Sequence, residues 1–220
     1  MLDRIESIFR QRGYRLYTRP YELNIVGIRS SQTQSNRFDD QLHVFYKADA
    51  LRWEYHIFKA TTDPGTFWLQ NPMSPQGTAI LAQGQYIDAY QIGFHQNKYK
   101  ALVQRGAVTI IRDYDRNAIL DFMNGKRQRG LFGINIHRAF AQGKAKVIDK
   151  FSAGCQVLES AEDFAKLLAM CDKHKALYGN RFTYTLIDTR AVQRETYRRI
   201  ALGTLAAGLM GLGYYLYTHE

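Results

Sequence analysis

Cysteine is scarce in this chain: only Cys155 and Cys171 occur among its 220 residues. Two cysteines exclude the disulfide framework on which many small secreted domains depend, so a hydrophobic core must hold the fold. Hydrophobic residues make up 45% of the sequence, with 12 Phe and 15 Tyr. That content is sufficient for one packed domain. Cys171 shares a helical face with Phe164, Leu167 and Leu168, which predicts a core position for it.

Metal and cofactor motifs are also missing. The histidines and cysteines show neither a CxxC nor an HxxxH spacing, which are the patterns typical of zinc sites. A nucleophile elbow for serine hydrolase chemistry is absent too. We therefore expect no metal and no cofactor.

The charge is strongly of one sign, with a net value of +10. An excess of basic residues attracts polyanions, which include nucleic acid, anionic lipid and an anionic cell wall. It can also be no more than a solvated basic surface. Because no nucleic-acid-binding motif accompanies the charge, nucleic acid is not expected as the main partner.

The N-terminal residues lack the apolar core of a signal peptide. Residues 2–12 instead carry charges and an apolar face at helical spacing, and Gly13 follows. This pattern predicts a short helix packed on the domain, and we assign 1–22 to this helix and its lead-in.

The one long apolar run is 200–217, which holds no charge over eighteen residues. Its length is near the lower limit for a transmembrane helix, and a soluble core helix is the alternative. Gly203, Ala207 and Gly211 recur every four residues, a spacing suited to pairing of two such helices in a homodimer. Residues 190–199 form a charged helical linker before it, and these basic residues favour a cytoplasmic position for the domain.

Between these ends the pattern is mainly that of β-strands. Alternating or β-branched runs bounded by turn residues predict strands at 21–28, 41–48, 53–59, 78–81, 85–92, 102–104, 108–112 and 181–188. We expect hairpins between 41–48 and 53–59 and, across Gly106, between 102–104 and 108–112. Residues 67–69 are expected to be extended and 125–130 to form a basic loop. Residues 163–178 predict an amphipathic helix with an N-cap at Ser160.

The stretch 133–158 carries the candidate chemistry. A short strand ends at His137, a turn contains Gly143, a second extended piece begins at Val147, and residues 152–155 form a tight bend that ends at Cys155. Two segments joined by a turn can bring His137 next to Cys155. An adjacent imidazole can take the proton of a thiol and so generate the nucleophilic thiolate. A buried structural cysteine and an unrelated histidine are the alternative.

The same stretch resembles the L,D-transpeptidase (YkuD-like) catalytic domain family. That family has a His-Gly, a spacer and then Ser/Thr-His-Gly-Cys, and this chain has His137 and, eighteen positions later, Cys155 at the end of Ser-Ala-Gly-Cys. Residues 61–69, TTDPGTFWL, look like the "TPxGxF" segment of the family. The resemblance covers roughly 23–170. The motifs around His137 and Cys155 look most like those of a divergent branch of the family in tailed phages and their bacterial hosts.

The chain departs from the family at three places. Arg138 stands where a small residue usually follows the histidine, Ala153 replaces the second histidine, and Gln156-Val157 replaces the pair after the cysteine. The first change concerns the residue that orients His137, and the other two concern contacts with the substrate.

The resemblance implies a β-sandwich over 23–189 with a few flanking helices, and cysteine-dependent acyl transfer on peptidoglycan stem peptides. Cys155 would be the nucleophile and His137 the base. Transpeptidation and carboxypeptidase- or endopeptidase-like hydrolysis both remain open. A periplasmic substrate conflicts with the cytoplasmic side that the linker favours. A catalytically inert cell-wall-binding, virion or membrane protein with the same fold is the alternative.

Supporting roles follow from the same resemblance. Gly154, Ser152 and Arg138 are expected to form the oxyanion hole or to orient the reacting groups. Gln156 and Asn135 are expected to contact the substrate.

Overall fold

The computed structural model describes residues 1–190, 192 and 193. The complete elements of this part of the chain are α-helices, β-strands and one 3-10 turn (Asp149–Phe151), and residues 189, 190, 192 and 193 are helical as well. The helices are α1 (Leu2–Arg12), α2 (Thr66–Gln70) and α3 (Ala161–Tyr178). The strands are β1 (Asn24–Arg29), β2 (Asp40–Lys47), β3 (Trp53–Thr61), β4 (Thr78–Leu81), β5 (Gly84–His95), β6 (Tyr99–Gln104), β7 (Val108–Asp113), β8 (Arg127–Gly130), β9 (Ile136–Arg138), β10 (Gln156–Leu158) and β11 (Phe182–Asp188).

Eight strands close into one barrel in the order β1-β11-β5-β6-β9-β10-β3-β2. The sheet closes because β1 pairs with β11 in parallel and with β2 in antiparallel fashion, which leaves neither side of β1 as a free edge. The other three strands form a separate sheet, β4-β7-β8. The prediction of a mainly β domain with a few flanking helices is confirmed. The larger sheet closes on itself, whereas two open sheets face to face were expected.

The helices begin and end where the sequence indicated. Gly13 ends α1 in the left-handed conformation, with φ +64°. The Ser160 side chain accepts a hydrogen bond from the Asp163 N–H at the start of α3. This side-chain acceptor satisfies a backbone donor that has no partner within the helix. Cys171 on α3 is fully buried in the main core, as predicted.

Several local predictions are wrong. Strand β6 pairs with β5 and β9, and β7 pairs with β4 and β8, so these two strands do not form the predicted hairpin. Residues 67–69 lie in α2 rather than in an extended segment, and β8 occupies part of the predicted loop 125–130. The extended piece predicted at Val147 is absent from the described chain, where a 3-10 turn follows at Asp149–Phe151.

A buried ion pair fixes the segment after β3. The Arg29 Nε lies 2.8 Å from the Asp63 Oδ1, and only 1% of the Arg29 side chain is exposed. Arg29 also donates hydrogen bonds to the carbonyl oxygens of Leu81 and Thr62. Because a buried charge needs both a counter-ion and hydrogen bonds, this network holds 61–65 against β1 and β4.

The predicted transmembrane helix, 200–217, lies outside the described residues, as does most of the linker 190–199. Within the described part, no helix is both long and apolar enough to cross a bilayer.

Candidate active site

Strands β9 and β10 bring the segments that carry His137 and Cys155 side by side. They pair in parallel, with Ile136 opposite Gln156 and His137 opposite Val157. Because side chains alternate between the two faces of a sheet, Cys155 shares its face with Val157 and therefore with His137. The pairing therefore places the segments that carry His137 and Cys155 next to each other in the sheet.

The imidazole of His137 is held at one nitrogen. Its Nδ1 lies 2.8 Å from the carbonyl oxygen of Arg138, and the Tyr99 hydroxyl lies 3.1 Å from the same Nδ1. Tyr99 also donates to the Arg138 carbonyl over 3.1 Å. A carbonyl oxygen only accepts, so the short contact places the ring proton on Nδ1. The backbone carbonyl of Arg138 thus fixes the orientation of the His137 ring.

The other ring nitrogen of His137 is the chemically notable atom. Nε2 is buried and has no hydrogen-bond partner among the residues that the structure describes. With the proton on Nδ1, Nε2 carries the free lone pair and can accept a proton. An unpaired buried acceptor is costly in a folded protein, and such an atom is typical of a functional site.

A second imidazole stacks on the first. The rings of His95 and His137 are 4.0 Å apart between centroids and 19° from parallel. The Asn135 side-chain nitrogen lies 2.9 Å from the His95 Nδ1. Burial, followed by the neighbouring His95, lowers the pKa of His137 to about 3. At neutral pH His137 is therefore an uncharged base.

The bend before Cys155 is held by a serine and a glycine. The Ser152 hydroxyl donates to the Cys155 carbonyl over 2.8 Å and accepts from the Gly154 N–H over 3.1 Å. Gly154 has φ +120°, and a Cβ at this position would lie 2.2 Å from the Ala79 carbonyl oxygen. Only glycine fits both the conformation and this close approach. Ser152 and Gly154 therefore fix the position of the thiol.

One backbone donor remains available beside the thiol. The Gly154 N–H is taken by Ser152. Within the described chain, no acceptor is found for the Cys155 N–H. An unpaired N–H at the nucleophile is the kind of donor that stabilises a developing oxyanion.

The Cys155 thiol is mostly enclosed, with 9% of the residue exposed. Its sulfur accepts a hydrogen bond from the Asn135 N–H at 3.4 Å and lies 3.5 Å from the Gly133 carbonyl oxygen. Burial raises the pKa of Cys155 to about 11, and the bond from Asn135 partly offsets that rise. The resting pair is therefore a neutral thiol beside a neutral imidazole.

The segment that resembles "TPxGxF" packs directly under this bend. The Gly65 N–H donates to the Ser152 carbonyl oxygen over 2.9 Å. A Cβ at Gly65 would lie 2.0 Å from the Asp149 carbonyl oxygen, so the backbones meet too closely for any other residue. The Trp68 indole donates to the Lys150 carbonyl oxygen. Residues 61–69 are thus hydrogen-bonded to the segment that leads into Cys155.

Gln156 and Asn135, the two residues expected to contact the substrate, have different surroundings. The Gln156 side chain is 1% exposed and bonds to the Tyr184 hydroxyl and the Gly154 carbonyl oxygen. These contacts tie the bend to the core, and the structure does not bring Gln156 to the surface. Asn135 contacts the thiol through its N–H, while its side-chain oxygen accepts from the Gln104 N–H.

Sequence reasoning missed His95 and Tyr99. The two residues lie opposite each other in the β5–β6 hairpin, beyond the strands predicted at 85–92 and 102–104. Gln96 and Asn97 between the strands both have positive φ, at 50° and 59°. Three residues, Gln96 to Lys98, connect the paired His95 and Tyr99, and Asn, which tolerates positive φ, is the local signal that could have indicated a turn here.

Comparisons with protein-family models, with curated proteins and with solved structures give no significant match to this chain.

Proposed function

We propose that this protein is a cysteine-dependent acyltransferase that acts on peptidoglycan stem peptides. The observation that carries the proposal is the state of His137: its Nδ1 is fixed by the Arg138 carbonyl, and its buried Nε2 is unpartnered on the sheet face that holds Cys155. This arrangement supplies a nucleophile and an oriented base. The stem-peptide substrate is proposed from the sequence resemblance alone, and on the same ground the closed sheet is proposed to be a variant of the L,D-transpeptidase fold.

The first half of the reaction forms a thioester. The Cys155 sulfur attacks the carbonyl carbon before a terminal D-amino acid, while the thiol proton passes to the His137 Nε2. The carbonyl oxygen becomes an oxyanion that the Cys155 N–H stabilises. The peptide C–N bond then breaks, and the leaving amine takes the proton back from the imidazolium. An acyl group is left on sulfur, and His137 is neutral again.

The second half consumes the thioester. An incoming amine or a water molecule attacks the acyl carbon and gives a proton to the His137 Nε2, and the departing sulfur recovers that proton. An amine produces a crosslink and water produces hydrolysis. Because the thiol pKa is raised by burial, ionisation must accompany attack rather than precede it.

A catalytically inert protein that binds cell wall with this fold is the second candidate. It is favoured by one observation, the enclosure of Cys155, of which 9% is exposed. Such a protein would hold the stem peptide and leave it unchanged.

Incubation of the full chain with a purified stem tetrapeptide, read by mass spectrometry, tests both candidates. Cys155→Ala is compared with Cys171→Ala, which removes the fully buried thiol of the core. We expect loss of the terminal residue or a crosslinked product with the native chain and with Cys171→Ala, and none with Cys155→Ala. An unchanged tetrapeptide that still binds the native chain would contradict the acyltransferase and support the binding protein.

A further inference from the structure

A cavity of about 240 Å³ opens between the C-terminal end of α3, the strands β5 and β11, and the segment that leads into β1. Its wall includes three arginines and two acidic residues, namely Arg15, Arg19, Arg181, Glu22 and Asp88. No residue of 133–158 lies in this wall, so the cavity is separate from Cys155 and His137. A concave site with a few convergent polar groups is where a small ligand usually binds.

The guanidinium of Arg19 is held in one orientation at this wall. Its Nε and Nη2 donate to the two carboxylate oxygens of Glu22 over 2.8 and 2.6 Å. The Glu22 side chain is 9% exposed, whereas that of Arg19 is 64% exposed. The guanidinium also lies over the Tyr178 ring, 4.3 Å from its centroid. A buried carboxylate thus fixes an exposed cation and leaves the donors of its Nη1 available to a ligand.

Arg15 and Arg181 are anchored through their backbones. The Gln85 side chain accepts from the Arg15 N–H and donates to the Arg15 carbonyl oxygen, both over 2.8 Å. The Arg181 carbonyl oxygen lies 3.1 Å from the His174 Nε2. Among the residues that the structure describes, neither guanidinium has an acidic partner. The two cations are therefore held at the cavity without being neutralised.

Asp88 joins the same wall from an irregularity in β5. Between the pairs that join Phe182 and Tyr184 to β5, that strand has the three residues 87–89, whereas β11 has Thr183 alone. Extra residues of this kind redirect a side chain, and the Asp88 N–H is tied to the Thr183 hydroxyl over 3.1 Å. Within the described chain the Asp88 carboxylate accepts no hydrogen bond and forms no ion pair.

Opposite charges therefore line one cavity without pairing with each other. A ligand that fits them must accept hydrogen bonds from guanidiniums and donate one to a carboxylate. A phosphate group that keeps one proton does both, since the second pKa of a phosphate monoester is near about 6. Arginine is also the side chain best suited to phosphate. A zwitterion fits less well, because Arg15 and Arg181 outnumber Asp88 once Glu22 has neutralised Arg19.

We propose that this cavity binds the phosphate group of a small phosphorylated ligand. The guanidiniums of Arg15, Arg19 and Arg181 donate to the phosphate oxygens, and the Asp88 carboxylate accepts the remaining phosphate proton. Sulfate has no such proton at neutral pH, so the carboxylate repels it and selects phosphate. This binding site goes beyond the proposed acyl transfer and does not depend on it.

Titration calorimetry of the full chain with inorganic phosphate and with sulfate, at equal ionic strength and about pH 6, tests the site. We expect one phosphate per chain and about tenfold weaker binding of sulfate. Arg181→Gln keeps the carbonyl that faces His174 and removes only the guanidinium, so phosphate affinity should fall about tenfold. Asp88→Asn removes the charge that repels sulfate and should abolish the preference for phosphate.

A charge-matched control separates this site from general attraction to a basic surface. Arg127→Gln removes an exposed cation of β8 outside the cavity wall and should bind phosphate as the native chain does. Cys155→Ala should also bind phosphate normally. Equal affinity of the native chain for phosphate and sulfate, binding of neither anion, or equal losses in Arg127→Gln and Arg181→Gln would overturn the site. Binding of glycine but not phosphate would overturn it as well and indicate a zwitterionic ligand.

Discussion

The rings of His95 and His137 stack almost in parallel, with 4.0 Å between their centroids. Two imidazolium ions cannot occupy such positions without strong repulsion, so protonation of one opposes protonation of the other. Burial acts in the same direction on both rings, since it also lowers the pKa of His95. The stack therefore keeps His137 uncharged at neutral pH.

This property predicts how stability depends on pH. The unfolded chain protonates His137 near pH 6.5, whereas in the folded chain its pKa is lowered to about 3. Between these values the unfolded state binds more protons, so the free energy of unfolding decreases as the pH falls. His137→Gln removes that proton uptake, and urea titrations from pH 7 to 4 should give a slope that is shallower by up to about 1.4 kcal/mol per pH unit. Parallel curves for both proteins would contradict the lowered pKa.

The second prediction concerns the reactivity of Cys155. Because burial raises its pKa to about 11, alkylation by iodoacetamide should increase about tenfold per pH unit from pH 6 to 9, without a plateau. Mass spectrometry of the modified peptides measures the rate, and the fully buried Cys171 serves as the internal control. A plateau that begins near pH 6 would show a resting thiolate–imidazolium pair instead.

The third prediction tests the hydroxyl that holds the base. Tyr99→Phe removes bonds to the His137 Nδ1 and to the Arg138 carbonyl, but leaves the 2.8 Å contact between those two groups. We expect turnover to fall about three- to tenfold, with little change in KM. Tyr178→Phe, which loses a bond to the Pro20 carbonyl far from the site, should retain full activity. Equal activities of the two variants would remove Tyr99 from the site.

The fourth prediction separates two reasons why Gly154 must be glycine, its positive φ and its close approach to the Ala79 carbonyl oxygen. Gly154→Ala places a Cβ 2.2 Å from the Ala79 carbonyl oxygen at φ +120°. Gly143→Ala meets nothing within 4 Å and has only a left-handed φ, +72°. The control should lose about 1–2 kcal/mol of unfolding free energy, and Gly154→Ala should lose more, together with activity. Similar losses in urea titrations would show that the bend can move away from Ala79.

Local sequence patterns were sufficient for the elements whose signals lie within a few residues. The Ser160 cap, the Gly13 end of α1 and the β2–β3 hairpin were all predicted because caps and short turns are local. The strands β6 and β7 were also located, but their partners were not. Alternation of apolar and polar residues identifies a strand but does not show which strand it pairs with. Here β6 and β7, on either side of Gly106, belong to different sheets.

The candidate site follows the same division. His137 and Cys155 were predicted to meet, and the parallel pairing of β9 with β10 places the segments that carry them side by side. The surroundings of the pair could not be predicted. Tyr99 and His95 contact His137 from a hairpin about forty residues earlier in the chain. Such contacts depend on the order of strands, which the pattern of one strand does not contain.

In the proposed reaction Cys155 forms a covalent acyl intermediate while its proton passes to His137. Rapid mixing of the full chain with a stem tetrapeptide, acid quench and intact-mass spectrometry test it directly. We predict a mass increase equal to the acyl tripeptide, mapped to Cys155, retained in Cys171→Ala and absent from Cys155→Ala. Consumption of the tetrapeptide by a folded Cys155→Ala protein, with no adduct on the native chain, would contradict it.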